Sequence, residues 1–258
     1  ANDRFVQWID GIDGSAPILN FPTGNIVGIG ELDAESMELI PGAASALYGP
    51  NAFNGILIMK SKSPFEFQGL SAQFKSGITT SDAQGNANPF YNFGVRYAKS
   101  YNNKFAFKVN FAYFDAEDWR ANDYKQDRLR SESETDLSGT PDFDGVNLYG
   151  DEALISVPGF NPIRRTGFRE EDIIDDYSAR SIKGDLALHY RITDQVEALF
   201  NYRYGSGDAI YQGDAKYALR GFTQEFYKLE LKSDNFFIRS YLTATDAGDS
   251  YNLLALGS

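Results

Sequence analysis

The sequence predicts a mainly β protein whose antiparallel strands form part of a transmembrane barrel, preceded by a separate compact unit. Three observations carry this. From residue 69 onward, apolar and polar residues alternate with a period of two through seven consecutive segments. Each segment runs about nine to eleven residues, the length a tilted strand needs to cross a bilayer. Short and long connections between the segments alternate, as periplasmic turns and extracellular loops do in an outer-membrane barrel.

Residues 1–62 read as the compact unit. Phe5–Ile9 is a short strand closed by Asp10-Gly11, and residues 17–30 are Gly-, Pro- and Asn-rich loop. Glu31–Ser36 reads as one helical turn before the strand Met37–Ile40, which Pro41 stops. Ile56–Met59 is a continuous apolar run, the pattern of a strand buried on both faces.

The alternating strands follow. The first sets Leu70, Ala72, Phe74 and Ile78 against Gln73 and Lys75. The second sets Tyr91, Phe93, Val95 and Tyr97 against Asn92 and Arg96. The third is the clearest: Phe105, Phe107, Val109, Phe111 and Tyr113 alternate with Lys104, Lys108 and Asn110. The fourth sets Ile182, Leu186, Leu188 and Tyr190 against Lys183, Asp185 and His189. The fifth sets Val196, Ala198, Phe200 and Tyr202 against Glu197, Asn201 and Arg203. The sixth carries Tyr227, Leu229 and Leu231. The seventh carries Ile238, Leu242 and Ala244, with Phe237 and Tyr241 out of phase. Asn102-Asn103, Asp194-Gln195 and Ser233–Asn235 are tight turns. The long connections are residues 80–90, about 114–181 and about 205–218.

Composition narrows the class. Net charge is −12, from 24 basic and 36 acidic residues, against the basic balance a nucleic-acid binder usually needs. No cysteine is present, so there is no disulfide or thiolate metal site. No run of 18 apolar residues can form a spanning helix, a test that barrel strands escape because their average hydropathy is low. The 16 Tyr and 20 Phe suit the aromatic girdles of such a barrel. They also suit a soluble, secreted β-rich module that binds glycans, the alternative reading from another class.

Residues 36–62, SMELIPGAASALYGPNAFNGILIMKSK, resemble the end of the plug domain in TonB-dependent outer-membrane receptors. The resemblance rests on Gly42, Ser45, Leu47, Tyr48 and Gly49 of the turn, then Asn54 and Gly55, then an apolar strand ending in Lys60 and Lys62. PNAFNG and the early IDGI look most like receptors of the Bacteroidota. The resemblance implies a small α+β plug, residues 1–62, inside a barrel of about 22 strands. Residues 63–258 would hold about seven of those strands, with a long extracellular loop at about 114–181. The chain is thus read as the C-terminal part of the plug and the first third of the barrel.

The function implied is TonB-dependent, energy-coupled uptake of a scarce ligand (siderophore, glycan, peptide or similar) across the outer membrane. Implied partners are the TonB complex, outer-membrane lipid and a surface lipoprotein; no cofactor is implied. Aromatics among the charges of the outer loops are the candidate ligand contacts: Trp119, Tyr124, Phe143, Tyr149, Phe160 and Tyr211.

Other motifs point to no chemistry. His189, the single histidine, reads as a lumen-facing solvated side chain without metal partners. No G-x-S-x-G elbow accompanies it, so the chain is read as non-enzymatic. The acidic run Glu170–Asp176 lacks calcium-loop spacing and reads as a solvated loop surface. Gly205-Ser206-Gly207-Asp208 reads as a turn at a strand end, without the helix a phosphate site needs. Glu35 and Glu38 are candidate partners for the lumen cations Lys75, Arg96 and Lys108. Those pairs are expected to be wet and weak.

Overall fold

The computed structural model describes residues 5–16, 21–22, 26–42, 54–80, 85, 87–127, 135–140, 142–151, 154–155, 158–159, 163–164, 166–212 and 216–257. Two sheets dominate them. The first contains β1 (Phe5–Ile9), β2 (Ile12–Asp13), β5 (Ala34–Pro41) and β6 (Gly55–Ser61), in the order β2-β1-β6-β5. The pair β3 (Ser15–Ala16) and β4 (Phe21–Pro22) lies beside it. Asp10 and Gly11 both take positive φ, which closes the β1–β2 hairpin in two residues. The helical turn shrinks to a 3₁₀ turn at Glu31–Asp33, and β5 begins at Ala34, earlier than its hydropathy suggested.

The second sheet is a wall of seven long antiparallel strands in sequence order. They are β7 (Gly69–Thr80), β8 (Ala87–Tyr101), β9 (Phe105–Glu117), β14 (Ser178–Arg191), β15 (Glu197–Gln212), β16 (Lys216–Lys232) and β17 (Phe237–Asp246). All seven alternating segments are strands. Asn102 and Asn103 sit at φ 50 and 53, the left-handed pair that a tight β8–β9 hairpin requires. The wall is open, with β7 and β17 at its edges.

Between β9 and β14 the chain forms small pairs: β10 (Leu148–Tyr149) with β13 (Phe168–Arg169), and β11 (Leu154–Ile155) with β12 (Ile163–Arg164). The turn α1 (Glu170–Ile173) follows. After β17 come β18 (Tyr251–Asn252), paired with β16, and α2 (Leu253–Gly257). No described helix is long and apolar enough to cross a membrane.

The connection expected over 205–218 is a correction. β15 and β16 are 16 and 17 residues long and stay paired to Gln212 and Lys216. That exceeds the nine to eleven residues that a tilted bilayer-spanning strand needs. Nor is Gly205–Asp208 a turn. A Cβ on Gly205 would lie 2.8 Å from Val27, and one on Gly207 2.8 Å from Ile26. The two glycines let residues 26–27 of the N-terminal unit approach the wall's backbone, and the β15–β16 register shifts beside them.

The wall is inside-out relative to a soluble sheet. Leu70, Phe74, Ile78, Phe93, Val109, Phe111 and Leu229 are exposed on one face, and no described element packs against it. On the other face Arg96, Lys108, Asp185, Arg203 and Lys228 are buried, because the four-stranded sheet covers them. In a sandwich the apolar face would instead meet a second sheet.

Candidate functional site

The seam between the four-stranded sheet and the polar face of the wall is where the charged groups converge. Asp33, at the end of the 3₁₀ turn, is 1% exposed and meets two wall cations. Arg96 of β8 donates from Nε at 2.8 Å and Lys108 of β9 from Nζ at 2.7 Å. Arg96 also donates to the Phe67 carbonyl. Lys108 donates to Ser61 Oγ at 2.8 Å and to the Lys62 carbonyl at 3.1 Å. These contacts tie β6 and the segment after it to the wall.

A second cluster centres on Asp10, in the β1–β2 turn. Arg203 bridges it to Asp185 of β14, at 2.9 and 3.1 Å. Asn110 and Asn201 also donate to Asp185. Burial alone would raise the Asp10 pKa. The charges of Arg203, Lys108 and Lys228 outweigh it and hold the carboxyl well below its usual range. Lys228 and Arg239 donate to the carbonyls of Asp10 and Gly11. Farther out, Ile12, Val27, Leu219, Phe222 and Phe226 form the seam's apolar part.

Two cavities flank the Asp33 cluster. One of about 260 Å³ lies toward the long loops and is lined by Glu31, Asp33, Gln73, Asn92, Asn110 and Lys183. The other, of about 470 Å³, opens toward the tight turns and is lined by Lys60, Lys108, His189, Arg191, Glu197 and Lys232, among others. Asp33 lines the first and Lys108 the second, so their ion pair stands between the two spaces.

Several expectations change here. Asp33 and Glu31, not Glu35 and Glu38, meet the lumen cations. Glu31 pairs with Lys75, whereas Glu35 pairs with Lys60 within the sheet. The Asp33 pairs are buried rather than wet, because the 3₁₀ turn presses on the wall. His189 is 8% exposed, hydrogen-bonded through Nδ1 to Glu197 at 2.7 Å and edge-on to Phe65, so it is covered rather than solvated. Glu170, read as solvated loop surface, is 1% exposed.

Glu170 anchors the outer loop. It accepts from the Tyr149 hydroxyl at 2.7 Å and from the Ala121 amide at 3.0 Å. Burial first, and then Glu170's acceptance of its proton, push the Tyr149 pKa upward. Tyr149, Ile174, Tyr177, Ile210, Ala218 and Leu253 form the loop's own core, against the tops of β15 and β16.

The candidate ligand contacts do not share one surface. Trp119 is exposed, Phe143 is half-buried, and Tyr149 is wholly buried in the loop core. Tyr124 lies beneath the Arg169 guanidinium at 4.9 Å. Tyr211 packs inward on the seam's apolar cluster. Phe160 lies outside the described residues. So do Ser45, Leu47, Tyr48 and Gly49 of the plug motif. Its described members meet: the Gly42 amide donates to the Asn54 carbonyl at 3.2 Å, and Gly42 and Gly55 take positive φ. Sequence reasoning missed Asp10 and Asp33. Their signal was an acid at each turn of the N-terminal unit, opposite strands with inward Arg and Lys.

An open wall, apolar outside and charged inside, with a small sheet against its charged face: this is the architecture of part of an outer-membrane barrel. Solved structures of the ferric enterobactin receptor share it. The chain aligns with the ferric enterobactin receptor PfeA, in complex with BCV-L6, at TM-score 0.56 and 16% identity. The alignment covers 95% of this chain and 33% of that one. A mutant of that receptor from Pseudomonas aeruginosa, bound to enterobactin, gives 0.53 and 17%, over 94% and 33%. The copper transporter OprC aligns at 0.46 and 14%, over 94% and 30%. No protein-family model and no curated protein sequence matches. The fold is that of TonB-dependent outer-membrane receptors, and the chain spans about a third of the length of the solved structures it matches.

Proposed function

We propose that this chain belongs to a receptor for TonB-dependent, energy-coupled uptake across the outer membrane. Residues 1–62 act as the plug, and residues 63–258 supply the first barrel strands with a long extracellular loop within 114–181. The observation that carries this is the inside-out wall with a separate sheet ion-paired inside it. β6 pairs with β1 and β5 and not with residues 70–78, which supports a plug distinct from the wall.

The seam supports a mechanism without covalent chemistry. Pulling on the plug, by the TonB complex, separates Asp33 from Arg96 and Lys108 and joins the two flanking cavities into one path. The ligand is a siderophore, glycan, peptide or similar scarce molecule. A surface lipoprotein partner and a Bacteroidota origin rest on the motif resemblance alone.

The chain's lack of cysteine makes a direct test possible. A Cβ on Gly30 would lie 3.8 Å from the Ala112 Cβ, within disulfide reach. In the full-length receptor, Gly30→Cys with Ala112→Cys should lock plug to wall when oxidised. Planar-bilayer KCl currents induced by mild urea should then appear only after reduction. Equal currents in both redox states would refute a plug that moves against this wall.

A further inference from the structure

The lipid face carries a feature that barrel formation does not require. Lys99 of β8 lies on it, not on the lumen side. It pairs with Phe107 in register and stands between the outward rings Tyr97 and Tyr101. Its ammonium lies 5.1 Å from the Tyr101 ring centre. Lys104, just after the Asn102-Asn103 turn, extends over the Tyr190 ring at 5.7 Å. Both lysines are solvent-exposed, and no carboxylate meets either among the described residues. The seam's cations, by contrast, are held by Asp33, Asp10, Asp185 and Glu230.

Directly beside this pair an apolar groove of about 430 Å³ opens on the same face. Phe105, Tyr190, Phe200, Leu229 and Leu231 wall it, and Ala198 leaves the space at its floor. Tyr101 stacks on Phe105, and Phe105 pairs with Tyr190, so the lysines and the groove form one continuous surface. The groove lies on the outer face of β9 and β14 to β17, so a further barrel strand, pairing in the plane of the sheet with the free edge of β17, would leave that face open to lipid.

We infer that this surface is a binding site for an anionic glycerophospholipid of the periplasmic leaflet. An acyl chain fills the groove above Ala198, and the headgroup phosphate sits between Lys99 and Lys104. Charge and depth agree. Lys99 is three residues from the turn, about 10 Å along a strand, which places it at headgroup level. Exposed lysines flanked by aromatic rings at that level suit phosphate, whereas the groove admits only hydrocarbon.

This rests on the reading of the wall as membrane-embedded, so the test separates the two. The full-length receptor, purified in detergent, is titrated with dioleoylphosphatidylglycerol or dioleoylphosphatidylcholine, and bound lipid is counted by native mass spectrometry. The wild type should retain one phosphatidylglycerol in clear preference. Lys99→Gln with Lys104→Gln should weaken that binding by about fivefold per lysine and leave phosphatidylcholine unchanged. Ala198→Phe should weaken both lipids. Each variant is first checked for heat-modifiable migration, which reports an intact barrel. Membrane-embedded receptor showing equal affinity for the two lipids, or no effect of the lysine changes, overturns the lipid site alone. Receptor absent from the outer-membrane fraction overturns the embedding as well.

Discussion

Replacing Asp33 with alanine should loosen the N-terminal sheet, the proposed plug, from the wall. Asp33 is 1% exposed, and the side chains of Arg96 and Lys108 are each 3% exposed. Alanine leaves both cations buried. Lys108 keeps Ser61 Oγ and the Lys62 carbonyl, and Arg96 keeps the Phe67 carbonyl, but neither keeps a carboxylate in direct contact, and Asp10 acts on Lys108 only at longer range. Removing one member of a buried ion cluster costs about 3–5 kcal/mol, because the survivors stay desolvated. The control is Glu31→Ala, which breaks the pair with Lys75. Those side chains are 57% and 49% exposed, so the loss is at most about 1 kcal/mol. Amide hydrogen exchange at Ile56 and Met59, in the full-length receptor in nanodiscs, reports plug release. Asp33→Ala should cut protection by a factor of about 100 or more, and Glu31→Ala by less than about tenfold. The triple change Asp33→Leu, Arg96→Met, Lys108→Met should restore most of it, since no unpaired charge remains. Similar effects of Asp33→Ala and Glu31→Ala would show that the buried cluster does not hold the plug.

The other predictions test the wall, the second cluster and the loop. Val109→Arg, on the exposed apolar face, should cost about 2–4 kcal/mol of barrel stability in urea titrations. Lys108→Ala should loosen the plug without impairing barrel assembly. The Asp10 carboxyl is held below its ordinary 3.8, so its stabilisation is complete above that value and is lost as pH falls below it. Acid should therefore release the wild-type plug progressively below pH 3.8, while Asp10→Asn should already be loosened at neutral pH and show less further loss. Tyr149→Phe leaves one lobe of buried Glu170 without its donor and should cost about 1–3 kcal/mol, read as faster proteolysis within 118–177 on intact cells.

The strands were legible in the sequence because lipid and lumen impose opposite demands on successive residues. Phe105 to Tyr113 could alternate in no other register without placing Lys108 in hydrocarbon. The tight turns were legible for a similar reason: Asn102-Asn103 tolerates the left-handed backbone. The seam was not legible. Asp10 and Asp33 look like any turn acids, and only the tertiary approach of the 3₁₀ turn to β8 and β9 makes them partners. For the same reason Lys108 read as a lumen cation with wet, weak pairs, whereas it makes three polar contacts under the sheet. Gly205 and Gly207 read as a turn, because a close approach by residues 26–27 leaves no local signal. Tyr149 read as a ligand contact, because an aromatic in a long loop is the same letter whether it faces solvent or packs beneath it.

The central claim is that the wall separates lipid outside from a charged, plug-filled interior. This chain has no cysteine; with any cysteine elsewhere in the full-length receptor replaced by serine, spin labels can be placed singly along β9, at residues 107 to 111, in liposomes. Labels at Phe107, Val109 and Phe111 should collide readily with dissolved oxygen and poorly with a water-soluble nickel chelate. Labels at Lys108 and Asn110 should meet neither well. A flat profile along the strand, or nickel access at the odd-numbered positions, would contradict the account.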